Sequence, residues 1–342
     1  MKNRNIQFMR GVSILLVLLA HADQVYPQQI NDIKSFIDPT IGVDLFFIIS
    51  GYLMGVTFLN KISQPISMRQ VFEFYAKRTN RLFAACFFWS LIPIVFFQYW
   101  QHVGTLSDIK NAFWIFITSI FFVGNFYNFV HPSGFGYFWS LGVEYQFYIV
   151  LPLIAFIGKN NRGIFFIILA LFFTYAIAMK DFSGSWLFRP YGLYVGVLIW
   201  LLTKTSGFNE IKSAINKVSG IKLLIAVVFI ILSSTAISAA IIQFFGMSFV
   251  IVPIVLGVSF VIIICKETPI AGFVSKPIEF IGDISFSLYL CNVPVFIFFS
   301  RLSFEFTDNP HIVYVLCFFV AILISTVSRY TLEKIDLIGN NK

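Results

Sequence analysis

The sequence predicts an all-α fold, a polytopic bundle of membrane-spanning helices that forms a single domain over residues 1–342. Three observations carry that prediction. Of the 342 residues, 58% are hydrophobic and only 12% charged, against about 25% charged in an ordinary soluble domain. Apolar runs long enough to cross a bilayer recur along the whole chain. Between them Lys and Arg gather in alternate connections, the pattern that marks the cytoplasmic side. No polar stretch is long enough to make a separate soluble module.

Taken in order, the apolar runs cover 8–26, 41–59, 82–100, 138–157, 163–179, 187–203, 222–242, 248–265, 280–300 and 311–330, with a further run at 112–129. The basic connections hold Lys2, Arg4 and Arg10; Lys61, Arg69, Lys77, Arg78 and Arg81; Lys159 and Arg162; Lys204, Lys212, Lys217 and Lys222; Lys266 and Lys276; and Arg329, Lys334 and Lys342. The stretch ending at Arg81 and the turn at Lys159 and Arg162 therefore share a side, which requires an even number of crossings between them. Three runs lie there. The segment 112–129 is expected to be re-entrant or interfacial on the outer side, leaving ten spans with both termini cytoplasmic; eleven spans is the alternative. Asn111, Asn125, Asn128 and the following His131-Pro132-Ser133-Gly134 suit a segment lining a cavity, because irregular backbone survives at membrane depth only where protein or water satisfies it. Lys2 to Arg10, the apolar run after them and Ala20-His21-Ala22 imitate a secretory signal with a cleavage site. The apolar stretch resumes through Val25, so a retained first span is expected. Cys86, Cys265, Cys291 and Cys317 fall inside apolar runs without paired spacing and read as small buried hydrophobes. Neither a metal site nor a nucleic-acid partner is expected.

An ionisable side chain within a span costs several kcal/mol unless it faces a cavity or a partner, so each one is a candidate site residue. Arg10 and His21, eleven residues apart, share a helical face and lie about 16 Å apart along the axis. His21, Asp44 and Glu144 fall roughly 5 to 9 Å inside the outer boundary, Asn292 reaches a middle-to-outer level, and these four could line one cavity. Arg189, near the outer end of its span, could neutralise Asp44 or Glu144. A His beside a carboxylate is the arrangement used to activate a hydroxyl by general-base catalysis. Residue by residue, plainer readings stay open. His21 could be interfacial, Asp44 solvated or a helix cap, Glu144 part of a structural ion pair, Asn292 a link between helices, and Arg78 and Arg81 ordinary positive-inside anchors. A proton-coupled secondary transporter also fits scattered intramembrane Asp, Glu and His, although no matching broken helices are visible in two halves.

Taken together, the motifs resemble the acyltransferase 3 family of integral membrane acyltransferases, whose bacterial members O-acylate surface polysaccharides. Arg10 through His21 resembles the family's first-span Arg-x10-His signature. Gly42-Val-Asp44-Leu-Phe-Phe-Ile-Ile-Ser50-Gly51-Tyr52-Leu53 is similar to its second-span motif, Arg78-Thr-Asn-Arg81 to its cytoplasmic Arg-x-x-Arg, and Phe138-Trp-Ser-Leu-Gly-Val-Glu144 to its Trp-Ser-Leu-x-x-Glu block. Two departures stand out. Asn292, in Ile284-Ser-Phe-Ser-Leu-Tyr289-Leu-Cys-Asn292-Val-Pro294, occupies a position that usually carries His, and an amide exchanges no proton near neutral pH. Leu332-Glu333-Lys334 is followed by Ile335 where the family has Pro. With no appended hydrolase-like domain before Lys342, a stand-alone transferase is expected.

The resemblance implies an acyl-CoA donor, acetyl-CoA foremost, as co-substrate with no tightly bound cofactor, and a carbohydrate hydroxyl on the far side of a bacterial inner membrane as acceptor. Arg10, Arg78 and Arg81 would hold the CoA phosphates through guanidinium forks. His21 would take the hydroxyl proton or carry the acyl group as a covalent relay. Asp44 would orient His21, and Glu144 would bind the acceptor or support a cation such as Arg189. The topology makes a direct prediction: a reporter fused after Ser133 faces the extracytoplasmic side and one fused after Lys159 the cytoplasm, and a cytoplasmic signal at Ser133 would overturn the ten-span arrangement.

Overall fold

The computed structural model describes residues 3–24, 38–61, 66–179, 184–245, 248–270, 272, 275–303, 307 and 309–335. Every regular element among them is helical. In chain order these are α1 (Arg4–Ala20), α2 (Ile41–Met54), α3 (Met68–Val95), α4 (Phe97–His102) and α5 (Ile109–Ile120). Then come α6 (Gly124–Val130), α7 (Trp139–Gly158), α8 (Asn161–Ala178), α9 (Tyr191–Leu202) and α10 (Ser206–Lys217). The last five are α11 (Gly220–Phe245), α12 (Ser248–Cys265), α13 (Ser275–Asp283), α14 (Ser285–Ser303) and α15 (Pro310–Thr331). Local chemistry sets several starts. Ser67 and Gln70 form a capping box at α3, and Asp108, Asn160 and Asn309 accept backbone N–H groups at the heads of α5, α8 and α15, satisfying donors that a helix leaves unpaired there.

Eight stretches among the described residues are long and apolar enough to cross a membrane, and they correspond to eight of the ten expected runs. The other two differ for visible reasons. The run 82–100 straddles a helix end, because α3 begins in polar sequence at Met68 and stops at Phe96 before the short α4. The run 248–265 yields the shorter apolar helix Val250–Cys265. The segment 112–129 is broken: α5 ends at Ile120, Phe122 takes a left-handed φ of 56°, and α6 restarts at Gly124. At about 18 Å and 10 Å, neither piece spans a hydrocarbon core of about 30 Å. All four cysteines are buried and free of disulfides.

The chain divides into two compact units, the first of residues 1–20, 28–66 and 151–285 and the second of 21–27, 67–150 and 286–342. In the first, glycine lets helices approach to backbone contact. A Cβ on Gly11 of α1 would lie 2.1 Å from the Ile278 carbonyl oxygen of α13, and one on Gly282 of α13 would lie 1.9 Å from that of Gln7. Beside this crossing Asn5 ties α1 to the connection between α12 and α13, its amide donating to the carbonyls of Lys266 and Thr268 and accepting from the Ile270 N–H, and Arg4 of α1 pairs with Glu279 of α13 at 2.9 Å. Helices α2 and α9 meet in the same way: Gly51 faces the Leu193 carbonyl, Gly196 that of Ile48 and Gly192 that of Asp44.

In the second unit α3 packs along α5 and the first half of α7, with Tyr75 donating to the Ile149 carbonyl at 3.0 Å and Thr79 bonded to Tyr145 at 2.9 Å. The break at Phe122 is stabilised from α7. Gln146 donates to the Phe122 carbonyl at 3.2 Å and to Asn125 at 2.9 Å, and the Phe122 and Tyr145 rings stack with centroids 4.2 Å apart. Backbone freed from a helix is thus satisfied by protein, as an apolar medium demands.

The close approach of α2 and α9 is testable. A methyl at Gly196 would sit 2.2 Å from the Ile48 carbonyl oxygen, so Gly196→Ala should force the helices apart at a cost of about 1 to 3 kcal/mol. A thermal unfolding midpoint in detergent unchanged from wild type would contradict that packing.

Candidate active site

In the second unit, α1 has ended at Ala20 and His21 opens a 3-10 turn to Gln24. Its imidazole Nδ1 lies 2.6 Å from Oδ1 of Asn292. Asn292 is fully buried in the middle of α14, and its amide orientation is set by its own helix: Nδ2 donates to the carbonyls of Leu288 at 3.0 Å and Tyr289 at 2.6 Å. Since Nδ2 must face those carbonyls, Oδ1 faces His21 and only accepts. Nδ1 of His21 therefore carries a proton, and a neutral imidazole keeps its lone pair on Nε2.

The stretch of α14 that holds Asn292 is itself held by residues near the head of α7. Pro294 has no N–H to offer the carbonyl four residues back, that of Leu290, and the buried Tyr137 hydroxyl supplies the missing bond at 2.9 Å. The Tyr289 hydroxyl donates to the Tyr137 carbonyl at 2.6 Å, so it accepts from the Ser140 hydroxyl, also at 2.6 Å. Tyr289 and Ser140 stand within the sequence motifs without a role that the motifs assign, and Tyr137 lies just before the Trp-Ser-Leu-x-x-Glu block. Pro294 inside an apolar run was the available signal, because the carbonyl it strands needs a donor.

Glu144, a turn and a half into α7, accepts a short hydrogen bond from Tyr148. Across from it on α3, the Arg78 guanidinium lies 5.6 Å from the Tyr148 ring centroid and 5.7 Å from that of Phe74, within reach of cation–π attraction. Glu144 thus keeps company with the first arginine of the Arg78-Thr-Asn-Arg81 pair; Arg81, one turn on, is exposed. Arg78 lies eleven residues past the Ser67 cap, about 16 Å along α3, well inside the helix.

In the first unit the buried ion pair is Asp44 with Arg189, 3.7 Å apart, with 3% and 5% of each residue exposed. Asp44 occupies the first turn of α2, where a negative charge suits the helix dipole. Arg189 directly precedes Pro190 and the head of α9, brought there by the Gly192 contact with Asp44. Of the two partners foreseen for Arg189, the structure gives Asp44. Asp44 Oδ1 is buried with no hydrogen-bond partner among the described residues. Arg10 is half-buried, one residue before the Gly11 crossing of α1 with α13.

An all-helical membrane protein with a tautomer-fixed histidine and an aromatic-bound arginine defines a class, and the comparisons with known proteins say which. The family model described as an acyltransferase domain matches residues 3–330, and the chain belongs to that family. It is 26% identical over 287 residues to the peptidoglycan O-acetyltransferase OatA of Listeria monocytogenes, covering 75% of this chain and 44% of the relative. It is 23% identical over 317 residues to the O-acetyltransferase OatA of Staphylococcus aureus, covering 86% and 52%. A third relative, the putative peptidoglycan O-acetyltransferase YrhL of Bacillus subtilis, is 28% identical over 128 residues, or 34% of this chain and 19% of its own length. The chain spans about half the length of the first two. No solved structure matches it.

The Asp44–Arg189 pair predicts a definite mutational pattern. Asp44→Leu or Arg189→Met alone strands a buried charge and should cost about 3 to 5 kcal/mol, whereas the double replacement should recover most of that loss. Additive losses in unfolding free energy would mean that the two side chains are not coupled.

Proposed function

We propose that this chain transfers an acyl group, acetyl foremost, from acyl-CoA on the cytoplasmic side to a carbohydrate hydroxyl on the far side of a bacterial inner membrane. The observation that carries the reading is the His21–Asn292 hydrogen bond, which leaves the imidazole lone pair on Nε2. The relatives named as peptidoglycan O-acetyltransferases make a cell-wall glycan the acceptor to test first.

In this mechanism Nε2 of His21 takes the proton of the acceptor hydroxyl as its oxygen attacks the thioester carbonyl. The tetrahedral intermediate collapses, the C–S bond breaks, and the imidazolium returns the proton to the departing CoA thiolate. The products are a carbohydrate ester and CoA thiol. The same Nε2 could instead receive the acyl group and pass it on. Asn292 holds the ring and, unlike the His of the motif that this segment resembles, takes no part in proton transfer. Arg78, Arg81 and Arg10 bind the CoA phosphates, with Tyr148 and Glu144 orienting the Arg78 fork. Asp44 and Arg189 brace α2 against α9 on the acceptor side.

His21→Ala should abolish transfer of labelled acetyl from acetyl-CoA to glycan while leaving acyl-CoA binding close to wild type. Arg78→Ala with Arg81→Ala should do the converse, weakening acyl-CoA binding by about 1.5 to 3 kcal/mol for each charge-assisted bond lost. Substantial turnover by folded His21→Ala protein would sink the proposal. A wild-type protein that binds no acyl-CoA would favour a proton-coupled transporter instead.

A further inference from the structure

A groove of about 840 Å³ runs along the first unit, and none of the residues assigned above to transfer lines it. Helix α9 packs against both α8 and α12, which leaves a trough between the outer two. Its length is apolar: Phe166 and Phe173 of α8, Leu198 of α9 and Val258 of α12 line it. Its mouth is polar and basic, formed by Asn161 and Arg162 at the head of α8 and by Lys204 and Thr205 just beyond α9. Neither cation enters an ion pair among the described residues. Lys204 is held in place without being neutralised, donating to Asn60 Oδ1 at 2.7 Å and lying 5.5 Å from the Trp200 ring centroid.

We propose that this groove binds an anionic glycerophospholipid of the phosphatidylglycerol kind, its phosphate between Arg162 and Lys204 and an acyl chain along the trough. Length argues for a lipid tail. From Asn161 to Phe173 the lining of α8 extends about 18 Å, close to the depth of one leaflet of a hydrocarbon core about 30 Å thick. Chemistry argues against a soluble ligand, because past the mouth no polar group lines the groove to fix or satisfy one. Charge argues against a second copy of this chain, whose own groove would bring the same two cations to the same rim. The basic mouth belongs to connections that the Lys and Arg pattern assigns to the cytoplasmic side, so the lipid is one of the inner leaflet.

The test uses the purified full chain, stripped of lipid by detergent exchange and mixed with equal amounts of phosphatidylglycerol and phosphatidylcholine of the same acyl chains, with retained lipid counted by native mass spectrometry. Wild type should keep one phosphatidylglycerol in preference to phosphatidylcholine. Arg162→Ala with Lys204→Ala should reduce that preference about 30-fold, two contacts of about 1 kcal/mol each near a charged surface. Val258→Trp, at a position 54% exposed and so tolerant of bulk, should displace both lipids by filling the trough. Equal retention of the two lipids by wild type, or an unchanged preference in the double alanine variant, would overturn the proposal. So would a wild-type dimer that Val258→Trp dissociates.

Discussion

Pro294 is the constraint that ties the stretch of α14 around Asn292 to the head of α7. By removing one donor from α14 it strands the Leu290 carbonyl in an apolar setting, and that carbonyl is satisfied by Tyr137. The same tyrosine's carbonyl receives the Tyr289 hydroxyl, which in turn accepts from Ser140. Between these bonds Asn292 turns its amide nitrogen to its own helix and offers only an acceptor to His21. The tautomer of His21 thus depends on an amide oriented by its own helix, in a stretch of α14 that the bonds to Tyr137 hold in place. The residues quoted from the Trp-Ser-Leu-x-x-Glu block and from the late span are neighbours for this reason: Ser140 of one bonds Tyr289 of the other.

Glycine plays the corresponding part in the first unit. Without a Cβ at Gly51, Gly192 and Gly196, α2 and α9 come to backbone contact, and the Asp44 carboxylate then meets the Arg189 guanidinium where neither is exposed. A buried pair of this kind contributes little net stability over apolar residues of similar volume, but removing either partner is expensive. Such a pair fixes a register between helices. Gly11 and Gly282 do the same for α1 and α13, each seated on the other helix's carbonyl.

Much of this was legible in the sequence, and for identifiable reasons. Hydropathy located eight long helices because each must bury its backbone bonds internally. Parity of the basic loops singled out 112–129, and the structure breaks that segment at Phe122. Arg189 was matched to Asp44 as one of two choices because intramembrane charges seek partners. What the sequence withheld was tertiary. The neighbours of Glu144 are one case: the antiparallel register of α3 and α7, visible in the Tyr75–Ile149 and Thr79–Tyr145 bonds, puts it beside Tyr148 and Arg78. Asn292 was discounted as an acid or base, and its value as an oriented acceptor shows only when its two carbonyl partners are seen.

Whether His21 can act as the base through Nε2 depends on the proton at Nδ1. Nitrogen-15 spectra of histidine-labelled protein, with the His21 signals assigned by their loss in His21→Ala, report which ring nitrogen is protonated. The neutral ring should show a protonated Nδ1 and a bare Nε2, and Asn292→Ala should redistribute the proton between them. A wild-type His21 protonated on Nε2 and bare at Nδ1 would contradict the assignment of Nε2 as the base.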